Sequence, residues 1–202
     1  MKKIIATLLI ASALTTCMFA KKAKKVKAPK LQTIELPSTN MLLLDNFEDG
    51  NYWYGVGNSW DQWGSHNLSL TADLSEDWKS DGEKSLKCTN EPATANNSKQ
   101  ATWCCNSPVE TDLSAYNWCA VDVYNPGENE YNLSIAVQNG DDWAWDQSPA
   151  VKIAPKTAQT VLFDLSAFPD EHLANIFCFM IQHIDAETEN TVIYFDNFRM
   201  FE

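Results

Sequence analysis

NWCAVDVYNPGENEYNLSIAVQN, residues 117–139, is two alternating runs around an Asn-Pro-Gly turn. In the second run Leu133, Ile135 and Val137 share one face, and Ser134, Ala136 and Gln138 share the other. In the first, Cys119, Val121 and Val123 oppose Trp118, Asp122 and Tyr124. A repeat of two places successive side chains on opposite sides of an extended chain, so each run is a strand buried on one face. The non-core face is small, polar or aromatic, a surface suited to a wet exterior or a shallow groove.

Working outward, strand-like runs recur at 41–47, 68–73, 84–90, 99–105, 149–155, 159–165, 175–184 and 191–201. They are rich in β-branched and aromatic residues, and turn signals such as Glu-Asp-Gly, Ser-Asp-Gly and Asn-Gly-Asp separate them. No stretch holds a helical repeat beyond about two turns. About ten short strands in the 40–202 segment predict an all-β fold, an antiparallel β-sandwich.

The first twenty residues, MKKIIATLLIASALTTCMFA, carry two lysines, an apolar run from Ile4 and a small-residue end at Ala20. That layout predicts a secretory signal peptide over 1–20 and an exported protein: periplasmic, cell-surface or secreted. Leu14-Thr15-Thr16-Cys17 is a loose lipobox, so a lipid anchor at Cys17 is an alternative, although Thr16 is a poor residue before the cysteine. No later segment reaches eighteen consecutive apolar residues.

Eight of the fifteen basic residues lie in the first thirty positions. From Leu31 onward seven basic residues face twenty-seven acids, a net of −20. Residues 21–39 read as a basic Lys/Pro tether that spaces the domain from a surface or touches an anionic one. So negative a body would be repelled by phosphate backbones, which argues against nucleic acid. Five cysteines follow the signal: Cys88, Cys104, Cys105, Cys119 and Cys178. Export permits disulfides, and Cys104 and Cys105 point to opposite faces of a strand.

LLLDNFEDG (42–50), SDGEKSLKC (80–88), TDLSAYNWCAVDVYNP (111–126), QTVLFDLS (159–166) and VIYFDNFRM (192–200) come in a telling order. Together they resemble the jelly-roll carbohydrate-binding modules of the galactose-binding-domain-like superfamily. That resemblance implies a jelly roll over 40–202 and a poly- or oligosaccharide partner. It also implies a structural calcium (Ca2+), whose ligands carry over to Glu48, Asp81 and Asp196. A fainter likeness to spirochaete flagellar sheath proteins implies the alternative, a structural or assembly role in the envelope.

A pyranose presents flat C–H faces and a belt of hydroxyls, so it asks for indole or phenol rings flanked by amides and carboxylates. NYWYGVGNSWDQWGSHN (51–67) and QNGDDWAWDQ (138–147) offer that mixture. The candidate carbohydrate-binding residues are therefore Trp53, Trp60, Trp63, Gln138, Trp143 and Trp145, with Trp143 and Trp145 on one side of an extended strand. At least one of Trp53, Trp60 and Trp63 is expected to face the ligand. Trp103 and Gln182 are weaker candidates, and Trp78 and Trp118 are assigned to packing. Catalysis lacks a motif: there is no nucleophile elbow, phosphate loop or zinc helix, and His66, His172 and His183 are isolated.

Overall fold

A computed structural model describes residues 28–37, 40–56, 70–90, 101–106, 108, 110–184 and 192–202. Among these described residues twelve strands and one short helix follow in order: β1 (Met41–Asp45), β2 (Trp53–Gly55), β3 (Leu70–Ser75), β4 (Ser85–Asn90), β5 (Ala101–Cys105) and β6 (Trp118–Asn125). After these come β7 (Tyr131–Asn139), β8 (Trp145–Gln147), β9 (Val151–Ile153), β10 (Thr157–Asp164), α1 (Asp170–Leu173), β11 (Ile176–Ile184) and β12 (Val192–Phe201). The all-β sandwich expected from the alternation is present. The two strands beyond the sequence reading, β2 and β8, have three residues each, too few to register as a period.

The first sheet runs β10-β6-β12-β4-β3 with β1 paired to β12, and the second runs β2-β5-β11-β7-β8 with β9 paired to β7. Every named pair is antiparallel. The Asn-Pro-Gly turn does not close a hairpin. It carries the chain from β6 in one sheet to β7 in the other. Val121 and Val123 thereby meet the Leu133, Ile135 and Val137 face in one inter-sheet core, with Phe163, Phe179, Phe195 and Phe198. At the flank, Gly55 of β2 runs so close to Leu70 of β3 that a side chain at 55 would collide with the Leu70 backbone.

Residues 28–37 are not wholly a free spacer. Gln32 forms a parallel bridge with Gln159, with Gln32 N donating to Ala158 O at 2.9 Å and Thr160 N donating to Gln32 O at 2.8 Å. Ala28 and Leu31 pack on the Trp78, Ala158 and Tyr194 cluster. Residues 1–27, with the expected signal peptide over 1–20, lie outside the described residues.

A second apolar cluster occupies the outward face of the β2-to-β8 sheet. Cys104, Met180 and Ala136 face one another across β5, β11 and β7, and with Val56 and Cys178 they are buried apart from the main core. Cys104 and Cys178 are disulfide-bonded, with Cα atoms 6.4 Å apart, within the span a disulfide bridges. Cys88, Cys105 and Cys119 stay as buried thiols.

Candidate functional site

The turn between β7 and β8 is fastened at every step. Asn139 Oδ1 accepts from Asp141 N at 2.6 Å, while its amide nitrogen donates to Glu171 O at 2.9 Å. Gly140 N donates to Asn175 O, Asn175 Nδ2 donates to Asp141 Oδ1 at 2.8 Å, and Asp142 Oδ1 accepts from Ala144 N. The result holds Trp143 at φ +64°, a left-handed conformation that costs a bulky residue of order 1–3 kcal/mol and clusters at binding sites. Trp143 is therefore a turn residue and not, as the sequence reading had it, part of an extended strand with Trp145.

Strain here exposes an indole. Trp143 is 60% exposed, and Trp145 and Phe177 are exposed beside it. The Trp143 and Phe177 rings meet edge to face, centroids 5.2 Å apart. Trp145 pairs with Gln138 across β8 and β7, and Gln138 Oε1 is a buried acceptor with no hydrogen-bond partner. Behind Trp145, His172 Nδ1 and Asp146 Oδ2 lie 2.7 Å apart, tying β8 to α1. The sequence does not mark Phe177, which follows Asn-Ile at a strand start, where alternation gives no cue. A bulge between Ile176 and Cys178 releases it from the core register.

Inward along the same face runs a row of small polar groups. Gln182 Nε2 donates to Thr102 Oγ1 at 3.3 Å, and Gln147 Nε2 donates to Ser134 Oγ at 3.1 Å. Gln182 Oε1 is a second buried acceptor without a donor. Tyr54 stands exposed at the opposite edge. The face thus carries exposed aromatic edges, while its middle, with Ala136, Met180, Gln182 and the disulfide, is buried.

Trp53 is not on this face. It is 4% exposed, stacks on Phe198 at 5.2 Å, meets Phe179 edge to face and donates Nε1–H to Asp45 Oδ2 at 3.0 Å. A ring needs a partner across the core to be buried, and Phe198 lies far along the chain. Trp60 and Trp63 lie outside the described residues. Trp103 is fully buried against Phe195. Trp78 packs with Tyr124 and Tyr194, as assigned.

The carboxylates expected to hold calcium do meet around the 78–84 turn, but as hydrogen-bond acceptors. Glu48 Oε1 accepts from Glu83 N and Lys84 N at 2.8 and 2.9 Å, and Lys84 Nζ donates to Glu48 O. Those N–H bonds hold the Glu48 carboxyl below its usual range. Asp196 Oδ2 accepts from Ser80 N, Ser80 Oγ and Asp81 N, and Oδ1 accepts from Asn197 N. Asp81 enters through its backbone N–H, with its residue exposed. Calcium wants six to eight bare oxygens. Here donor hydrogens point at Glu48 Oε1 and at both Asp196 oxygens, and the Lys84 ammonium points at the Glu48 main-chain oxygen, so the set does not fit calcium. Among the described residues no three His, Cys, Asp or Glu side chains come together to hold a metal. Chelation with EDTA is expected to leave the unfolding midpoint unchanged. A calcium site filled a hundredfold above its Kd would instead add about 2.7 kcal/mol.

His183 faces the core and stacks on Tyr131 at 4.1 Å, 1% exposed, with neither ring nitrogen hydrogen-bonded. Burial pushes its pKa down to about 4. Between the unfolded value of about 6.5 and 4 the unfolded state binds more protons, so stability falls as pH falls through that window, by about 3 kcal/mol in total. Asp45 and Asp196, both raised mainly by burial, work with the opposite sign as pH falls. The measurement is accordingly a difference: urea unfolding of His183→Phe against wild type at pH 7 and pH 4, with the variant losing less.

The mannanase galactose-binding domain-like family model matches residues 54–197. Solved structures of the same fold include a family 11 carbohydrate-binding module from Clostridium thermocellum in complex with a β-1,3-1,4-mixed-linked tetrasaccharide. That match has a TM-score of 0.58 and 15% identity, covering 80% of this chain and 95% of the module. The Caldicellulosiruptor saccharolyticus CBM27-1 module, in complex with mannohexaose, matches with a TM-score of 0.54 at 15% identity over 81% and 98%. A CBM28 module specific for non-crystalline cellulose gives 0.55 at 18% over 82% and 97%. A search of curated proteins gave no match. The sandwich, its strand order and the matched span together place this chain in the mannanase galactose-binding domain-like family.

Proposed function

We propose that this protein is an exported, non-catalytic carbohydrate-binding protein that captures a poly- or oligosaccharide on the outward face of the β2-to-β8 sheet. One observation carries the reading: Trp143 is held exposed in a strained turn against Phe177, next to Trp145 and the unpartnered acceptor of Gln138. Indole faces suit pyranose C–H surfaces, and a bare amide oxygen calls for a hydroxyl donor. Leaving that acceptor unmet costs on the order of 1–3 kcal/mol, and since the atom is buried a sugar hydroxyl would meet it once the Gln138 side chain turns outward. The Cys104–Cys178 disulfide is a device of oxidising compartments and supports export. The glycans bound by the modules of like fold, mixed-linked glucan and mannohexaose, are the first ligands to try.

Intrinsic tryptophan fluorescence tests it. Titration with mixed-linked glucan, mannan, xylan and soluble cellulose derivatives is expected to shift or quench emission for at least one glycan, with the response lost in Trp143→Ala. Concentration-dependent oligomers with no glycan response would favour an envelope assembly role, where exposed aromatics serve a protein interface.

A further inference from the structure

We propose a second ligand site: the cleft beneath the β1–β2 crossing takes the terminal pyranose of a glycan chain. It rests on the carbohydrate reading above but uses none of the Trp143–Phe177–Trp145 residues.

Between Asp45 and Trp53 the chain crosses from one sheet to the other and leaves a cavity of about 210 Å³. Leu44, Trp53 and Phe179 give it an apolar floor, and Asp45, Asp49 and Tyr52 a polar mouth. The crossing is stiff. Asp45 Oδ1 accepts from Phe47 N at 2.8 Å, and Asn46 Oδ1 accepts from Glu48 N at 3.3 Å. Asn51 bonds Trp53 N and Ala72 O through its two amide ends. Phe47 sits at φ +61°, an unusual conformation for a large side chain, because its ring is held by Trp53 and Phe198. A loop tied this way stays clear of the cavity, so the site is formed before a ligand arrives.

Tyr52 provides the stacking surface. It is 58% exposed, and its ring lies over the α-carbon of Gly50, where an added Cβ would sit 3.5 Å from the ring. Gly50 has φ +154°, so glycine fits that position best.

The polar atoms are acceptors. Each Asp45 oxygen takes one donor, Phe47 N–H or Trp53 Nε1–H, and a carboxylate oxygen has capacity for another. Burial raises the Asp45 carboxyl above its usual range. Paired acceptors over an apolar floor match a sugar hydroxyl edge and C–H face, and their negative charge rejects uronates. The volume falls below the roughly 300–1,000 Å³ of pockets for larger ligands, so it holds one ring. A chain end fits; the middle of a chain does not.

The test compares full-length wild type, Tyr52→Ala, Asp49→Asn and the Trp143→Ala/Trp145→Ala double variant. Probes are methyl mannopyranoside, methyl glucopyranoside, glucuronate and mannohexaose. Binding is read by NMR shifts of the Tyr52 ring and by calorimetry. A neutral monosaccharide is expected to shift Tyr52 and to bind the double variant as well as wild type. Its affinity is expected to drop tenfold or more in Tyr52→Ala or Asp49→Asn, and glucuronate to be refused. Mannohexaose bound to wild type through the tryptophans, with Tyr52 silent to every probe, overturns the cleft and leaves the face intact. Protein that binds none of these sugars overturns the cleft, and the face falls with it when mixed-linked glucan, xylan and soluble cellulose derivatives also fail to bind.

Discussion

Trp53→Ala is expected to cost about 3–5 kcal/mol of stability, the range for deleting a large aromatic from a packed core. The ring is a junction: stacked on Phe198 of β12, edge-on to Phe179 of β11, and hydrogen-bonded to Asp45 at the end of β1. Truncation opens a cavity between the sheets and strips the part-buried Asp45 carboxylate of one donor. Phe47, tilted against the same ring at 6.3 Å, loses a wall that holds its strained turn. Urea unfolding reads the cost. The contrast is Trp143→Ala, a surface change expected to stay within about 0.5 kcal/mol. Equal stability losses for the two variants would contradict the division between core and site.

Breaking the Cys104–Cys178 bridge is the second large effect. Its partners are 74 residues apart in sequence, and a loop of that size restricts the unfolded chain by about 4 kcal/mol in the chain-entropy description. Since β5 and β11 are also joined by their ladder, the folded state should keep its shape on reduction and lose stability. For a domain of this size that is a fall in Tm of roughly 10 °C. Cys104→Ala/Cys178→Ala should match the reduced wild type and ignore reductant. An unchanged midpoint in the double variant would show that the bridge contributes nothing.

The sandwich was legible wherever strands were long and alternated. YNLSIAVQN became β7 with Leu133, Ile135 and Val137 inside, as its repeat of two dictates. What alternation does not encode is which sheet a strand joins, so the passage from β6 to β7 between layers was invisible. The candidate site was half legible. Trp143 and Trp145 stand exposed because the turn from Gly140 to Ala144, which contains Trp143 and precedes Trp145, leaves no core within reach. Trp53 reads the same in sequence, yet Asn51 turns it under the loop and onto Phe198. The surroundings of the carboxylates expected to hold calcium rest on a chemical detail that residue types do not carry: Glu48 and Asp196 accept from the N–H groups of the turn at 80–84.

Calorimetry of mannohexaose and of the mixed-linked glucan tetrasaccharide, binding to wild type and to Trp143→Ala/Trp145→Ala, tests the central claim most directly. At least one of these glycans should bind wild type, and the double variant should lose tenfold or more in affinity for it while unfolding at the wild-type midpoint. Glycan binding that survives both substitutions in a fully folded protein would contradict the account.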